Sequence, residues 1–147
     1  MKLYLASSFS LIHRVKDLAS ILEAAGHEIT CKWWSRQYDI PGEGKVATTV
    51  LKRRYRSIVS EKFYALPETE LSYEADLQGI RDADAFIFVA DDRPRAFNGA
   101  NVELGIALAW GKPCYVYGRL RTSVMYLRVH RVKTVSSLLD SLRGDRR

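Results

Sequence analysis

"AFIFVA", residues 85–90, is an unbroken apolar run with no polar residue to face water on either side. Alternation of apolar and polar residues would mark a strand with one wet face; a continuous run marks an interior strand covered on both, as in a parallel sheet. Outward from it the chain alternates. Upstream, "KLYLAS" (2–7) is a second apolar run, and Leu11, Val15, Leu18, Ile21 and Leu22 then recur at helical spacing up to a stop at Gly26. "HEITCKWW" (27–34) reads as a strand and "SRQYDIPGEG" (35–44) as a loop; a basic helix is expected over 45–64, and beyond Pro67 a further helix over 68–83. Downstream, "DDRPRAFNG" (91–99) is a loop, and a helix then runs to the stop at Gly111 and Pro113. "CYVYG" (114–118) and "LRVHRV" (127–132) read as strands, with a closing helix from Thr134. Buried strands alternating with helices predict an α/β domain around a parallel sheet.

The chain has 147 residues, 47% of them hydrophobic, which suits one domain over residues 1–147 with enough core to stand alone. "MKLYLASSFS" at the start is too short in apolar residues for a signal segment, and no run approaches membrane-spanning length, so a cytoplasmic location without a membrane partner is expected. Cys31 and Cys114 are far apart, with no CxxC and no histidine at ligand spacing, and read as buried free thiols. The formal charge of +6 is concentrated in "LKRRYR" (51–56) and the C-terminal third. That balance suits small anionic substrates; nucleic acid is the least favoured partner, because no recognised binding motif accompanies the charge.

In a parallel sheet ligands collect beyond the carboxyl ends of the strands, where strand order reverses. This selects "ASSFS" (6–10), "WWSRQYD" (33–39) and "DDRPRAFNGAN" (91–101). Glu103 stands at the edge of the third loop and shares a helical face with Ile106, Ala107 and Trp110. A capping box does not account for it, since Ala100 occupies the position where Ser, Thr, Asp or Asn is needed. A carboxylate on an apolar face costs several kcal/mol unless it is hydrogen-bonded or takes up a proton. A second acid, Asp76, lies in the preceding helix, expected beside a buried stripe of Tyr73, Leu77 and Ile80. Converging over the sheet edge, two such acids can divide the work of glycosidic-bond cleavage, one as nucleophile and one handling the substrate or its protons. Ser7, Ser8 and Ser10 before a helix suit either an anion or ordinary capping, and the loop is neither a Walker sequence nor GxGxxG. Strand alternation sends Trp33 and Trp34 to opposite faces, one into the core and one free to stack on a planar ligand. His13, His27 and His130 are scattered, with no metal site and no Ser-His-Asp triad.

"YEADLQGIRDADAFIFVADD" (73–92) followed by "NGANVELGIALAWGKP" (98–113) resembles the nucleoside 2-deoxyribosyltransferase family, including its relatives that hydrolyse deoxynucleoside 5′-monophosphates. The resemblance implies a flavodoxin-like, Rossmann-like sheet, a homodimer or dimer-based assembly, and neither metal nor organic cofactor. Glu103 matches the family's nucleophile, which attacks C1′ of the sugar and expels the base. Asp76 matches the aspartate that contacts the sugar or assists base departure, and Gly99 a turn glycine whose backbone meets the substrate. In "TSVMYLR" (122–128), Ser123 and Met125 match residues that reach the neighbouring subunit's site, and Gln37 aligns loosely with a base-reading glutamine. Ser7, Ser8, Phe9, Trp34, Asp92, Asn98 and Asn101 complete the expected substrate contacts. Phe97 departs from the pattern: the transferases have an aspartate there and the monophosphate hydrolases a serine, with Asp91 or Asp92 available as substitutes. The expected activity is cleavage of the N-glycosidic bond of a small nucleoside or nucleotide through a covalent glycosyl-Glu103, with transfer to a base or to water. The alternatives are a monophosphate N-glycosidase that only hydrolyses, and a nucleotide-binding module without turnover, which Phe97 favours and Glu103 opposes.

Overall fold

Every residue of the strand Ala85–Val89 is buried, and it occupies the middle of a five-stranded sheet in which all neighbours run parallel. The structure is a computed structural model that describes residues 1–40, 42–47, 50, 67–91, 97–119 and 127–145. Within these the elements are β1 (Lys2–Ser7), α1 (Ile12–Ala24), β2 (Glu28–Ile29), β3 (Gln37–Ile40), β4 (Gly44–Ala47), α2 (Pro67–Asp82), β5 (Ala85–Val89), α3 (Asn98–Ala109), β6 (Cys114–Tyr117), β7 (His130–Val132) and α4 (Val135–Gly144). The sheet order is β2-β1-β5-β6-β7. Counted among its own strands this is 2-1-3-4-5, the flavodoxin-like doubly wound order, whose direction reverses between β1 and β5. The expected α/β architecture is therefore present. None of the described helices is long and apolar enough to cross a membrane.

Strand alternation divides the core. Leu3, Leu5, Ile87 and Val89 pack on one face with Val15, Leu18 and Leu22 of α1 and Leu138 and Leu142 of α4. Tyr4, Ala6, Phe86 and Phe88 pack on the other with Ile80 of α2 and Leu104 and Ala107 of α3. α3 ends as its sequence predicts: Gly111 sits at φ 70, its N–H reaches Leu108 O at 3.1 Å, and the Lys112 N–H reaches Ala107 O at 2.9 Å, a Schellman stop. The Lys112 ammonium then donates to the carbonyls of Arg81 and Ala83 at 2.7 and 2.6 Å, supplying positive charge where α2 ends.

Several local expectations are corrected. The strand expected over 27–34 is confined to Glu28–Ile29, because the Trp33 indole donates to Leu5 O at 2.7 Å and the chain turns inward through a 3-10 turn, Trp33–Ser35. The loop expected over 35–44 contains β3, which pairs antiparallel with β4. Residues 45–47, expected to open a helix, belong to β4; most of the rest of that stretch lies outside the described residues. The last strand covers His130–Val132, not 127–132. Tyr73 is 58% exposed rather than part of a buried stripe. α2 turns Asp76, Gly79 and Ile80 inward instead, because Gly79 permits an approach that a side chain would block.

A Cβ built at Gly79 would lie 2.7 Å from Cys31 Cβ and 3.0 Å from two ring carbons of Tyr4. Glycine is what lets α2 settle directly on β1. Gly79→Ala is expected to destabilise the protein by about 1–3 kcal/mol through overpacking, read as a lower denaturant midpoint at unchanged slope.

Candidate active site

Tyr4 sits on β1 with no exposed surface, its ring stacked on Phe86 at 5.6 Å and 18° and pressed by Gly79. A buried phenol needs a partner for its hydroxyl. Here it reaches two: Asp76 Oδ1 at 3.0 Å and Glu103 Oε1 at 3.1 Å. One acid comes from the middle of α2 and the other from the second turn of α3, helices that both pack on β1. The two acids picked from sequence therefore meet around one oxygen, each part-buried.

Arg36, from the bend that follows Trp33–Ser35, completes the cluster. Its Nη1 donates to Asp76 Oδ2 at 3.2 Å and its Nη2 to Oδ1 at 2.7 Å, a forked ion pair with side chains 19% and 24% exposed. Nη2 also donates to Cys31 Sγ at 2.9 Å, and the thiol lies 3.6 Å from Asp76 Oδ1. Burial pushes the Tyr4 phenol well above its ordinary value, and the charges of Glu103 and Asp76 push it further. Burial likewise pushes the Cys31 thiol up to about 11, against the pull of Arg36, so it is a neutral thiol at physiological pH. Burial alone would lower Arg36, but its bonds to Asp76 and the carboxylate's charge outweigh this and raise it. The cluster is thus two carboxyl groups, a guanidinium, a neutral phenol and a neutral thiol. Among the described residues no group of three or more His, Cys, Asp or Glu is placed to hold a metal.

The other sequence candidates divide. The Ser7 hydroxyl donates to Val89 O at 2.7 Å, tying the ends of β1 and β5, and Ser8 caps the short turn Phe9–Leu11 while bonding Ser10 Oγ at 2.9 Å. Phe9 stacks obliquely on Trp33 at 4.9 Å, and Trp34 meets Trp33 edge-on at 5.4 Å. Both pack against the α1 side of the sheet, away from the acids. Trp33 is core and Trp34 half-buried, but both pack on the same side of the sheet rather than on opposite faces, because a 3-10 turn stands where the strand was expected. Gln37 is exposed at the start of β3, next in sequence to the Arg36 that does enter the cluster. Gly99 opens α3 one turn before Glu103, on the same face as that acid, and a Cβ there would meet nothing within 4 Å among the described residues. Asn101, two residues from Glu103, is exposed on another side of α3. Asn98 begins that helix, and nothing is described of its side chain; Asp92, Ser123 and Met125 lie outside the described residues. Phe97 is buried edge-to-face on Phe88 at 5.1 Å, so its place is in the core.

Sequence reasoning missed Tyr4, Arg36 and Cys31. For Tyr4 a signal existed, a phenol inside an otherwise aliphatic buried strand. For Arg36 and Cys31 it did not, since their placement depends on the turn that Trp33 imposes.

Comparison with known proteins follows the same line. The family model for nucleoside 2-deoxyribosyltransferases matches residues 3–139. Among solved structures, a 2-deoxyribosyltransferase of the psychrotolerant bacterium Bacillus psychrosaccharolyticus superposes with TM-score 0.62 at 17% identity, over 94% of this chain and 90% of that one. The CMP N-glycosidase BcmB of Clostridium botulinum superposes with TM-score 0.56 at 16% identity, over 97% and 99%. At these identities the likeness establishes the fold. No curated protein is matched by sequence.

The raised Tyr4 phenol has a measurable consequence. Its stabilising contribution is complete below about pH 10, the value in an unfolded chain, and is lost as pH climbs towards the higher folded-state value, because unfolding then releases a proton. In Tyr4→Phe the slope of unfolding free energy against pH above about pH 10 should be shallower by about one proton, measured by denaturant titration at stepped pH.

Proposed function

Because the chain belongs to the nucleoside 2-deoxyribosyltransferase family, we propose that it cleaves the N-glycosidic bond of a deoxynucleoside or its 5′-monophosphate through Glu103, and passes the sugar to another base or to water. The observation that carries this reading is the meeting of Glu103 and Asp76 around the Tyr4 hydroxyl, on the helices that flank the β1/β5 reversal of the sheet. Two carboxyl groups within reach of one hydroxyl, one of them a turn from a Gly99 that no described side chain crowds, fit a retaining mechanism in which one acid bonds to the sugar. A Glu103 oxygen attacks C1′ as the bond to the base breaks, and the base leaves with the electron pair. The sugar ester so formed is then attacked at C1′ by water or by a nitrogen of an incoming base, and the carboxylate is released. Tyr4 and the floor of Phe86, Phe88 and Ala6 hold the attacking group in one orientation, which is where the rate advantage of a positioned nucleophile originates.

A nucleotide-binding module without turnover loses its main support, since Phe97 is accounted for by its packing on Phe88. We further infer a dimer-based assembly, with Ser123 and Met125 facing the neighbouring subunit's site; the relatives at either end of the family's chemistry, a transferase and an N-glycosidase of CMP, frame the substrates to test.

Wild-type protein incubated with each deoxynucleoside and its monophosphate, with and without an acceptor base, should release free base on chromatography. Glu103→Gln should bind the same substrate and lose turnover by about a thousandfold or more. Intact-mass measurement of quenched wild type should show one added sugar, absent from Glu103→Gln. Equal ligand affinity with no base release by either protein would leave only a binder.

A further inference from the structure

The first turn of α1 carries a cation that no acid answers. Arg14 is half-buried, its Nε is buried with no hydrogen-bond partner, and none of the ion pairs among the described residues includes it. Asp17, exposed three residues further along the helix, is not paired with it either. A buried N–H of a charged group that meets no acceptor is costly. The position adds to the cost: the N-terminal end of a helix is its positive end, and the first turn of α1 contains no acid. Both effects turn favourable when an anion lies against the guanidinium.

Arg14 is nonetheless held in place. Its Cζ stands 4.5 Å from the centroid of the Tyr117 ring, over the ring face. The π face offsets part of the positive charge, but it supplies no lone pair like that of a carboxylate or phosphate oxygen. Tyr117 is the last residue of β6, and Gly118 after it, at φ 111, lies so near β5 that a Cβ would come 2.3 Å from Ala90 O. Tyr117 is in register with Val89 and Val89 with Ser7, so the carboxyl ends of β6, β5 and β1 are level. Arg14 therefore borders the strand ends where ligands collect in such sheets, on the α1 side, while the acids lie on the side of α2 and α3. The chain reaches it from β1 through Ser8 and Ser10, whose hydroxyls bond to each other at 2.9 Å at the surface. Ser10 precedes Arg14 by four residues, about one helical turn. Hydroxyls beside a guanidinium suit a phosphate group, whose three terminal oxygens take more donors than the two of a carboxylate.

We propose that Arg14, backed by Tyr117 and flanked by Ser8 and Ser10, binds a phosphate group. The substrate is then a 5′-phosphorylated nucleoside, with its phosphate on Arg14 and its sugar towards Glu103. The phosphate site stands on Arg14 and its surroundings; the assignment to substrate rests on the activity proposed above.

Inorganic phosphate is the first probe, on the full chain, with chloride at equal ionic strength as control and melting curves to establish how much of each variant is folded. Phosphate should raise the melting temperature of the wild type saturably and act on Arg14→Gln no more than chloride does. Arg14→Lys should keep a weaker response, since an ammonium supplies charge without the fork of N–H groups. Tyr117→Leu, which leaves Arg14 in the chain, should also respond more weakly. In turnover, Arg14→Gln should raise KM for the 5′-monophosphate by about tenfold to a hundredfold, the scale of a lost hydrogen bond to a charged group, and change KM for the unphosphorylated nucleoside much less. Inorganic phosphate should compete with the monophosphate in the wild type and not in Arg14→Gln. If phosphate instead alters turnover of nucleoside and monophosphate alike, in the wild type alone, the bound group is the free ion, and the substrate assignment is overturned while the phosphate site stands. Equal responses of all four proteins to phosphate overturn the site. In an active enzyme, so does an Arg14-dependent response that changes no rate, which marks an adventitious ion only. A wild type that binds phosphate through Arg14 and releases base from no substrate overturns the proposed activity and leaves the phosphate site in place.

Discussion

A single buried hydroxyl organises this protein. Tyr4 is held between Phe86 beside it on β5 and Gly79 of α2 above it, and the two helices that carry the acids meet at its oxygen. A carboxyl group at the margin of an apolar face is tolerable only with a hydrogen-bond donor nearby. The phenol reaches both acids, and Arg36 supplies further donors to Asp76. Packing and the proposed chemistry would use the same atoms here, and the cluster borders the core while keeping part of its surface open.

The two faces of the sheet divide these tasks. The face under α1 and α4 is mostly aliphatic, with Trp33 and Tyr115 buried among the aliphatic side chains. The face under α2 and α3 is aromatic along β1 and β5, with small residues where helices must come close, and the cluster of Tyr4, Asp76, Glu103 and Arg36 lies on this side. The strand order reverses between β1 and β5, the place where sheets of this kind open a crevice beyond their carboxyl ends. Ser7 closes the floor of that crevice by bonding Val89 O.

Much of this was legible from the residues. The run 85–90 declared an interior parallel strand because burial on both faces leaves no place for a polar residue, and Glu103 and Asp76 stood out because their neighbours are apolar. The resemblance in 73–113 points to the same family whose model matches residues 3–139. The middle of the chain was less readable. Trp33 bends the segment after β2 by bonding to a carbonyl of β1, a contact between residues 28 positions apart that no local pattern encodes. That bend delivers Arg36 and Cys31 to the acids and ends β2 early. Tyr73 misled for a related reason: helical spacing gives a face, but the depth to which α2 sinks is set by Gly79, and the choice of buried stripe follows from it. Phe97 reads as a departure from a family pattern in sequence and as part of the wall beside Phe88 in space.

Lys112 joins the end of α2 to the turn that finishes α3. The two acid-bearing helices are in this way fastened at their C-terminal ends, one by its carbonyls and the other through the chain itself. Any widening between Asp76 and Glu103 therefore has the character of tongs opening about a riveted end: the tips swing while the rivet stays still, and the gap at the acids grows in proportion to their distance from it.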